Sequence, residues 1–285
     1  MNTAISTELG DFGVLSCIGR RPPAEQAAAA RRWEAAGAET IWLGGSSVLW
    51  ETEAILDATT PQVTVGTAIQ SIWDCTPQVT ASRFASLEEQ HPGRILLGLG
   101  VSHQETTPAY HSPCEVMAQY LDALNEAGVP KERRILGALG PQMLDLARQE
   151  AAGALPYLVT VNQVSHMRER LGDALLACEL GVVLETDPQR ARELARQDLQ
   201  IYLQLSNYRR SWRRAGFLPA DLADGGSDHL VDSLYAWGST DQIRNRIDAL
   251  RAAGAHHVAV QLITGSHHTQ LPDPAREQQL TALFT

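Results

Sequence analysis

Arg94-Ile95-Leu96-Leu97-Gly98-Leu99-Gly100 is, after its leading arginine, an apolar run interrupted only by glycine. It shows no alternation of polar and apolar positions, so a strand built from it is buried on both faces, as a parallel strand covered by helices must be. The same punctuation recurs on either side. Helical stretches close on Ala36-Gly37, Ala127-Gly128, Ala152-Gly153 and Ala253-Gly254, and a short apolar run follows each. Glycine just past a helix can take the left-handed conformation that closes its last turn, and the run after it is the next strand. Strands are therefore expected at 12–18, 40–43, 63–71, 94–100, 134–138, 155–160, 175–184 and 257–263. Helices are expected at 23–36, 48–58, 77–90, 114–127, 141–152 and 162–171, then as one long stretch from 187 to about 215, and finally at 239–253. Two helix starts carry a capping box, Thr186 with Gln189 and Ser239 with Gln242.

Eight β-α alternations over 285 residues predict a single α/β domain, a (β/α)8 TIM barrel spanning 1–285, with 219–237 as an insertion before the last helix. The open doubly wound alternative lacks its phosphate fingerprint, because Gly98-x-Gly100 continues to His103 where a third glycine belongs. Composition excludes other classes. No apolar run approaches the roughly 18 residues of a membrane span, and 1–10 has neither the basic nor the apolar region of a signal peptide, so a cytoplasmic protein is expected. Cys17, Cys75, Cys114 and Cys178 lack C-x-x-C spacing and read as buried small residues rather than a disulfide frame or a zinc site. A net charge of -10 leaves no excess of cations for nucleic acid. Lys131, the single lysine, sits in a polar run and suits neither a Schiff base nor a P-loop.

Sites in such barrels are built at the carboxyl ends of the strands. The polar and glycine residues there are Cys17, Gly44-Gly45-Ser46, Gln70-Ser71 with Ile72-Trp73, Gly100 to His103, Ala138 to Gly140, Thr160 to Asn162, and Gln261 with Thr264. They contain no G-x-S-x-G elbow. No metal site is expected either: His103 and His111 follow strand four, but the first strand has no H-x-H, and His256-His257 point to opposite faces of one strand. His267-His268 do not complete a set.

One constellation is more specific. Gly66-Thr67 lies in strand three, a helix ends Leu87-Glu88-Glu89 before Gly93-Arg94, and Leu97-Gly98-Leu99-Gly100 closes strand four. Ala138-Leu139-Gly140-Pro141 follows strand five, and Trp237-Gly238-Ser239-Thr240-Asp241-Gln242 opens the last helix. This order resembles the luciferase-like flavin and deazaflavin oxidoreductases over nearly the whole chain. Val101-Ser102-His103, 139–144 and 202–212 are most similar to an actinobacterial branch that uses coenzyme F420.

The resemblance implies an enzyme that moves a hydride between F420 and a small organic substrate. Two alternatives remain: an FMN-dependent monooxygenase supplied by a partner reductase, and a barrel that binds a ligand without catalysis. It implies a homodimer. It also implies a cofactor held by the strand-three end (Gln70, Ser71, Ile72), with a non-proline cis bond at Ser71–Ile72 or its neighbour, by Gly100, Val101 and Ser102, and by Ala138, Leu139, Gly140 and Pro141 at the start of helix five. The free N–H groups of a first helical turn suit a phosphate there. His103 is the expected proton-handling residue, because histidine can give or take a proton near neutral pH. Trp50, Trp73, Tyr110 and His111 are expected to wall the substrate space. Relatives often carry an acidic-His pair after strand two, where this chain has Gly44-Gly45-Ser46.

Overall fold

A computed structural model describes residues 9–45, 48–265 and 278–284. Its strands and helices follow one another as β1 (Phe12–Ser16), α1 (Pro23–Ala36), β2 (Thr40–Gly44), α2 (Glu53–Ala58), β3 (Thr64–Ala68), α3 (Pro77–Gln90), β4 (Ile95–Gly100), α4 (Pro113–Glu126) and β5 (Arg134–Leu136). Then come α5 (Pro141–Glu150), β6 (Gly153–Ala154), α6 (Val161–Leu171), β7 (Leu175–Val183), α7 (Pro188–Tyr202), α8 (Ser206–Arg214), α9 (Asp228–Leu234), β8 (Tyr235–Trp237), α10 (Thr240–Ala252) and β9 (His257–Leu262). Successive strands from β1 to β7 pair in parallel, with the two-residue segment Gln70–Ser71 continuing β3 against β4. β9 pairs with both β1 and β7 and closes an eight-stranded barrel. β8 lies outside that ring, on the end of β7. Among the described residues no helix is long and apolar enough to cross a membrane.

Every second residue of a strand faces the barrel interior, and there the lower part is filled by Leu15, Trp42, Leu96, Ile135, Ala177 and Ala259. The opposite faces join the helices in the large outer core. Under the filling, Trp42 Nε1 donates to His257 Nε2 at 2.9 Å, and His257 Nδ1 donates to the Gly10 carbonyl at 2.9 Å. Burial pushes His257 down to about 4, so the ring is neutral and serves as a polar rivet.

The glycine motifs have steric causes. A Cβ on Gly98 would lie 1.8 Å from the Thr67 carbonyl oxygen, and one on Gly66 would lie 2.5 Å from the Trp42 ring. Thr67 Oγ1 accepts from Gly98 N at 2.9 Å and donates to Gly98 O at 2.8 Å, so a side chain stitches β3 to β4 where their ladder opens. Arg94 closes the other end of that pair, donating to Val63 O, Leu56 O and Thr59 Oγ1 at 2.7–3.0 Å.

Several boundaries differ from expectation. The sixth strand is Gly153–Ala154, not 155–160: Pro156 has no N–H to give to a ladder, and Leu158 turns to φ 53. The long stretch after β7 is two helices, broken between Tyr202 and Ser206. Its cap is Asp187, whose side chain accepts from Arg190 N at 2.7 Å, so the Thr186–Gln189 box does not form. The Ser239–Gln242 box does form, and Thr160–Gln163 is an additional one. The segment 219–237 folds as a short 3-10 turn, α9 and β8.

Candidate active site

At the carboxyl ends of the strands the interior opens into a cavity of about 710 Å³, within the roughly 300–1,000 Å³ typical of small-molecule sites. One half has almost no side chains. The inward positions above Leu15, Trp42, Leu96 and Ile135 are Cys17, Gly44, Gly100 and Gly137, and with Ala68 and Ile69 they form a smooth wall. The Ala68–Ile69 bond is the cis peptide of this strand end, three residues before the position expected. A Cβ on Gly100 would lie 2.4 Å from Ile69 Cδ1, so the glycine lets that side chain seat.

The second half is polar. Above Ala177 and Ala259 stand Glu179 and Gln261, joined by Tyr157 from the loop after β6. Tyr157 donates its hydroxyl to Gln261 Oε1 at 2.9 Å. Its ring packs on Tyr202 at 5.2 Å, which packs on Tyr208 at 5.0 Å. Glu179 is 2% exposed. Its Oε2 accepts from Leu158 N at 3.0 Å, taking up a backbone group that the curtailed β6 leaves without a ladder partner. Among the described residues its Oε1 has no hydrogen-bond partner. Burial pushes this carboxyl up to about 8, opposed by the Leu158 N–H and reinforced by Asp198. Asp198, 1% exposed on α7, accepts from the Tyr235 hydroxyl at 2.8 Å and is raised by burial to about 6.

The third side is held by α8 and the loop after β4. Glu105 accepts from Ser206 N at 2.9 Å and ties that loop to the first turn of the helix. His103 lies against the Tyr208 ring at 5.7 Å. Burial lowers the pKa of His103, with Glu105 and Asn207 partly offsetting it. The same helix brings Arg210 and Arg214 into the cavity. Arg214 donates to Leu139 O at 3.0 Å, beside the start of α5. There Leu144 N is bonded back to Gly140 O, the side of Gly140 that a Cβ would take is open space, and the first-turn N–H groups of a helix have no intrahelical acceptor.

Of the residues singled out in the sequence, His103, Gly100, Val101, Ser102, Ala138, Leu139, Gly140, Pro141 and Tyr110 all line this cavity. Gln70, Ser71 and Ile72 are not among its lining residues. Gln70 is a rivet between Thr80 Oγ1 (2.8 Å) and Leu49 N (3.1 Å), and Ile72 lies in the outer core. Trp73 stands behind the wall, donating Nε1 to Val101 O at 2.8 Å and packing on His111 at 5.9 Å. Trp50 is 48% exposed and does not line the cavity. None of 219–237 lines it either. Ser46 and His267-His268 lie outside the described residues. Among the described residues, no three His, Cys, Asp or Glu side chains are placed to share a metal ion.

Sequence reasoning missed Glu179, Tyr157, Tyr202, Tyr208, Arg210 and Arg214. The signal for Glu179 was present: one carboxylate inside Leu175–Val183, at even spacing from Leu175 and Ala177 and therefore on the interior face.

A family model described as luciferase-like monooxygenase matches residues 10–127 and 127–257. A 5,10-methylenetetrahydromethanopterin reductase of Methanolobus tindarius is 22% identical over 82% of this chain and 87% of its own length. Among solved structures, an F420-dependent secondary alcohol dehydrogenase in complex with an F420-acetone adduct superposes with a TM-score of 0.72 at 14% identity, covering 95% of this chain and 97% of the other. The oxygenating constituent of 3,6-diketocamphane monooxygenase from Pseudomonas putida, in complex with FMN, superposes with a TM-score of 0.65 at 15% identity, covering 95% and 96%.

Proposed function

Because the chain belongs to the luciferase-like monooxygenase family, we propose that this oxidoreductase binds coenzyme F420 in the glycine-walled half of the cavity and exchanges a hydride with a small organic substrate held against the tyrosine-lined half. The observation that carries the proposal is the shape of the cavity. A wall of Gly44, Ala68, Gly100 and Gly137 runs up to the start of α5 at Gly140 and to Arg210 and Arg214. A flat ring on an acidic tail needs these two things together, an apolar slot and a cluster of anion acceptors. The added Cβ at Gly137 would make only ordinary contacts, 3.6 Å to Ile69, and at Gly140 none, so no packing among the described residues requires those glycines; they leave space for a ligand. Two arginines besides the helix N-terminus suit a tail with more than one negative charge. The F420-dependent alcohol dehydrogenase named above supports the same cofactor.

A bound deazaflavin supplies the hydride and, on giving it up, releases one proton. In this reading His103 takes that proton. Its ring is buried against Tyr208 and its pKa is lowered by burial, so it is a neutral base at pH 7 with a free lone pair. The enclosing rings of Tyr157, Tyr202 and Tyr208 exclude water from the floor and strengthen the polar interactions made there.

The test is binding of F420 and of FMN side by side, followed by fluorescence quenching. Tight binding of F420 with weak binding of FMN is expected. The reverse result refutes the deazaflavin reading in favour of an FMN-dependent oxygenase, and binding of neither refutes both.

A further inference from the structure

Glu179 is the one carboxyl side chain among the described residues that line the cavity, and its surroundings leave it no counter-ion. The titratable groups facing it are Asp198 and Tyr202 from α7, Tyr208 from α8, Tyr235 from β8, Tyr157 from the β6 loop, and Cys178 beside it in β7. None of these is a cation in any protonation state. A purely structural role engages Oε2 alone, through Leu158 N, whereas Oε1 is buried with no partner. A buried polar atom without a partner costs roughly 1–3 kcal/mol and calls for an explanation. A carboxyl held neutral has an O–H to donate, so an uncharged, buried floor disfavours a charged guest and favours an oxygen that accepts a hydrogen bond.

We propose that Glu179 is a catalytic residue: the oxygen of an uncharged carbonyl compound, or of the corresponding alcohol, lies against Oε1, and the carboxyl transfers its proton to that oxygen as a hydride reaches the neighbouring carbon. The inference rests on reading the cavity as a hydride-transfer site. The balance is complete. The C=O π bond breaks, carbon gains the hydride and its two electrons, and oxygen gains the proton from Glu179, which becomes a carboxylate. His103 takes the proton released by the reduced deazaflavin, which is the reductant. Exchange with solvent then resets both groups, and the alcohol is oxidised by the reverse steps.

The test uses the whole protein, without and with saturating F420, and cyclohexanone as the neutral carbonyl probe. Infrared spectra of the wild type are expected to show a protonated carboxyl band at neutral pH that shifts when the probe is added, together with a lowered probe carbonyl stretch. Probe affinity is expected to fall as the pH rises through about 8, approaching tenfold per unit. Glu179→Gln removes the band, flattens the pH profile and lowers the rate of probe reduction by reduced F420 on the order of 10²-fold, with F420 affinity unchanged. Glu179→Asp restores a pH-dependent profile. Absence of probe binding, pH-independent binding by the wild type, or wild-type turnover by Glu179→Gln overturns the proposal. Failure of F420 to bind refutes the cofactor reading instead, and the infrared and pH results on the cofactor-free protein still decide the role of Glu179.

Discussion

Replacing Glu179 with glutamine should make the protein more stable at neutral pH, and the gain should vanish in mild acid. In the folded chain burial raises this carboxyl to about 8 from an ordinary value of 4.5. Between those two values the unfolded chain has lost the proton while the folded chain keeps it, so wild-type stability falls as the pH rises from 4.5, and levels off above 8. The gap is about 3.5 units at about 1.36 kcal/mol each, or about 5 kcal/mol in total, of which about 3 kcal/mol has been lost by pH 7. Glutamine has nearly the same shape, and its oxygen can still accept from Leu158 N. Its amide N–H groups take the place of the unpartnered Oε1, which costs roughly 1 kcal/mol at every pH. The variant should therefore exceed the wild type by about 2 kcal/mol at pH 7 and fall slightly below it near pH 4.5. Urea denaturation of both proteins across this range measures the difference. His257 runs the other way in both: its ring is lowered from 6.5 to about 4, so stability is lost as the pH falls between those values, and this cancels in the comparison. A wild-type-minus-variant difference that does not change between pH 5 and 8 would refute the reasoning, because it would show that Glu179 keeps the same protonation state folded and unfolded.

His103→Ala should lower turnover by roughly 10²-fold or more while changing F420 affinity little, since the imidazole handles a proton rather than the ring; steady-state kinetics beside fluorescence quenching separates the two effects. Gly140→Glu places a carboxylate in the open space at the start of α5 and should weaken F420 binding at least about tenfold, and Arg214→Ala should do so by removing a cation from the same end. Unaltered affinity in both would place the acidic tail elsewhere. Gly98→Ala should destabilise by at least about 3 kcal/mol or prevent folding, because the added Cβ meets the Thr67 carbonyl at 1.8 Å and neither backbone can yield; calorimetry of the variant checks it.

The barrel was readable because its signals are local. Helix-closing glycines and two-sided apolar runs report on a few residues at a time, and α1 (Pro23–Ala36) and α3 (Pro77–Gln90) start and stop where those signals place them. The β6 boundary was misread because Leu155 and Val159 look like a strand, while Pro156 and the left-handed Leu158 give their backbone to Glu179 instead of to a ladder. The cis bond lies at Ala68–Ile69 rather than at Ser71–Ile72 or its neighbour. The Thr67 stitch ends the β3 ladder earlier than the apolar run 63–71 implies, and leaves Gln70 facing Thr80 rather than the cavity. Of the residues lining the cavity, those next to glycine motifs and Tyr110 were singled out in the sequence, whereas Tyr157, Tyr202, Tyr208, Arg210 and Arg214 were not. They come from α7, α8 and the β6 loop, and only folding brings these to the strand ends. Gly44 and Gly45, which the sequence already showed in place of the acidic-His pair of the family it resembles, make part of the smooth wall. The acid of this cavity stands on β7, across the barrel.

The division of the barrel mouth into a bare half and a polar half has a stereochemical consequence. A planar guest seated against Gly100, Gly137 and Ile69 has one side sealed by backbone and shows the other to Tyr157 and Glu179. The two faces of its reacting carbon are then inequivalent without any contact to the atoms that make them different, so a label introduced on one prochiral position should be carried through turnover and never scrambled. Handedness in the product would follow from which strands lack side chains.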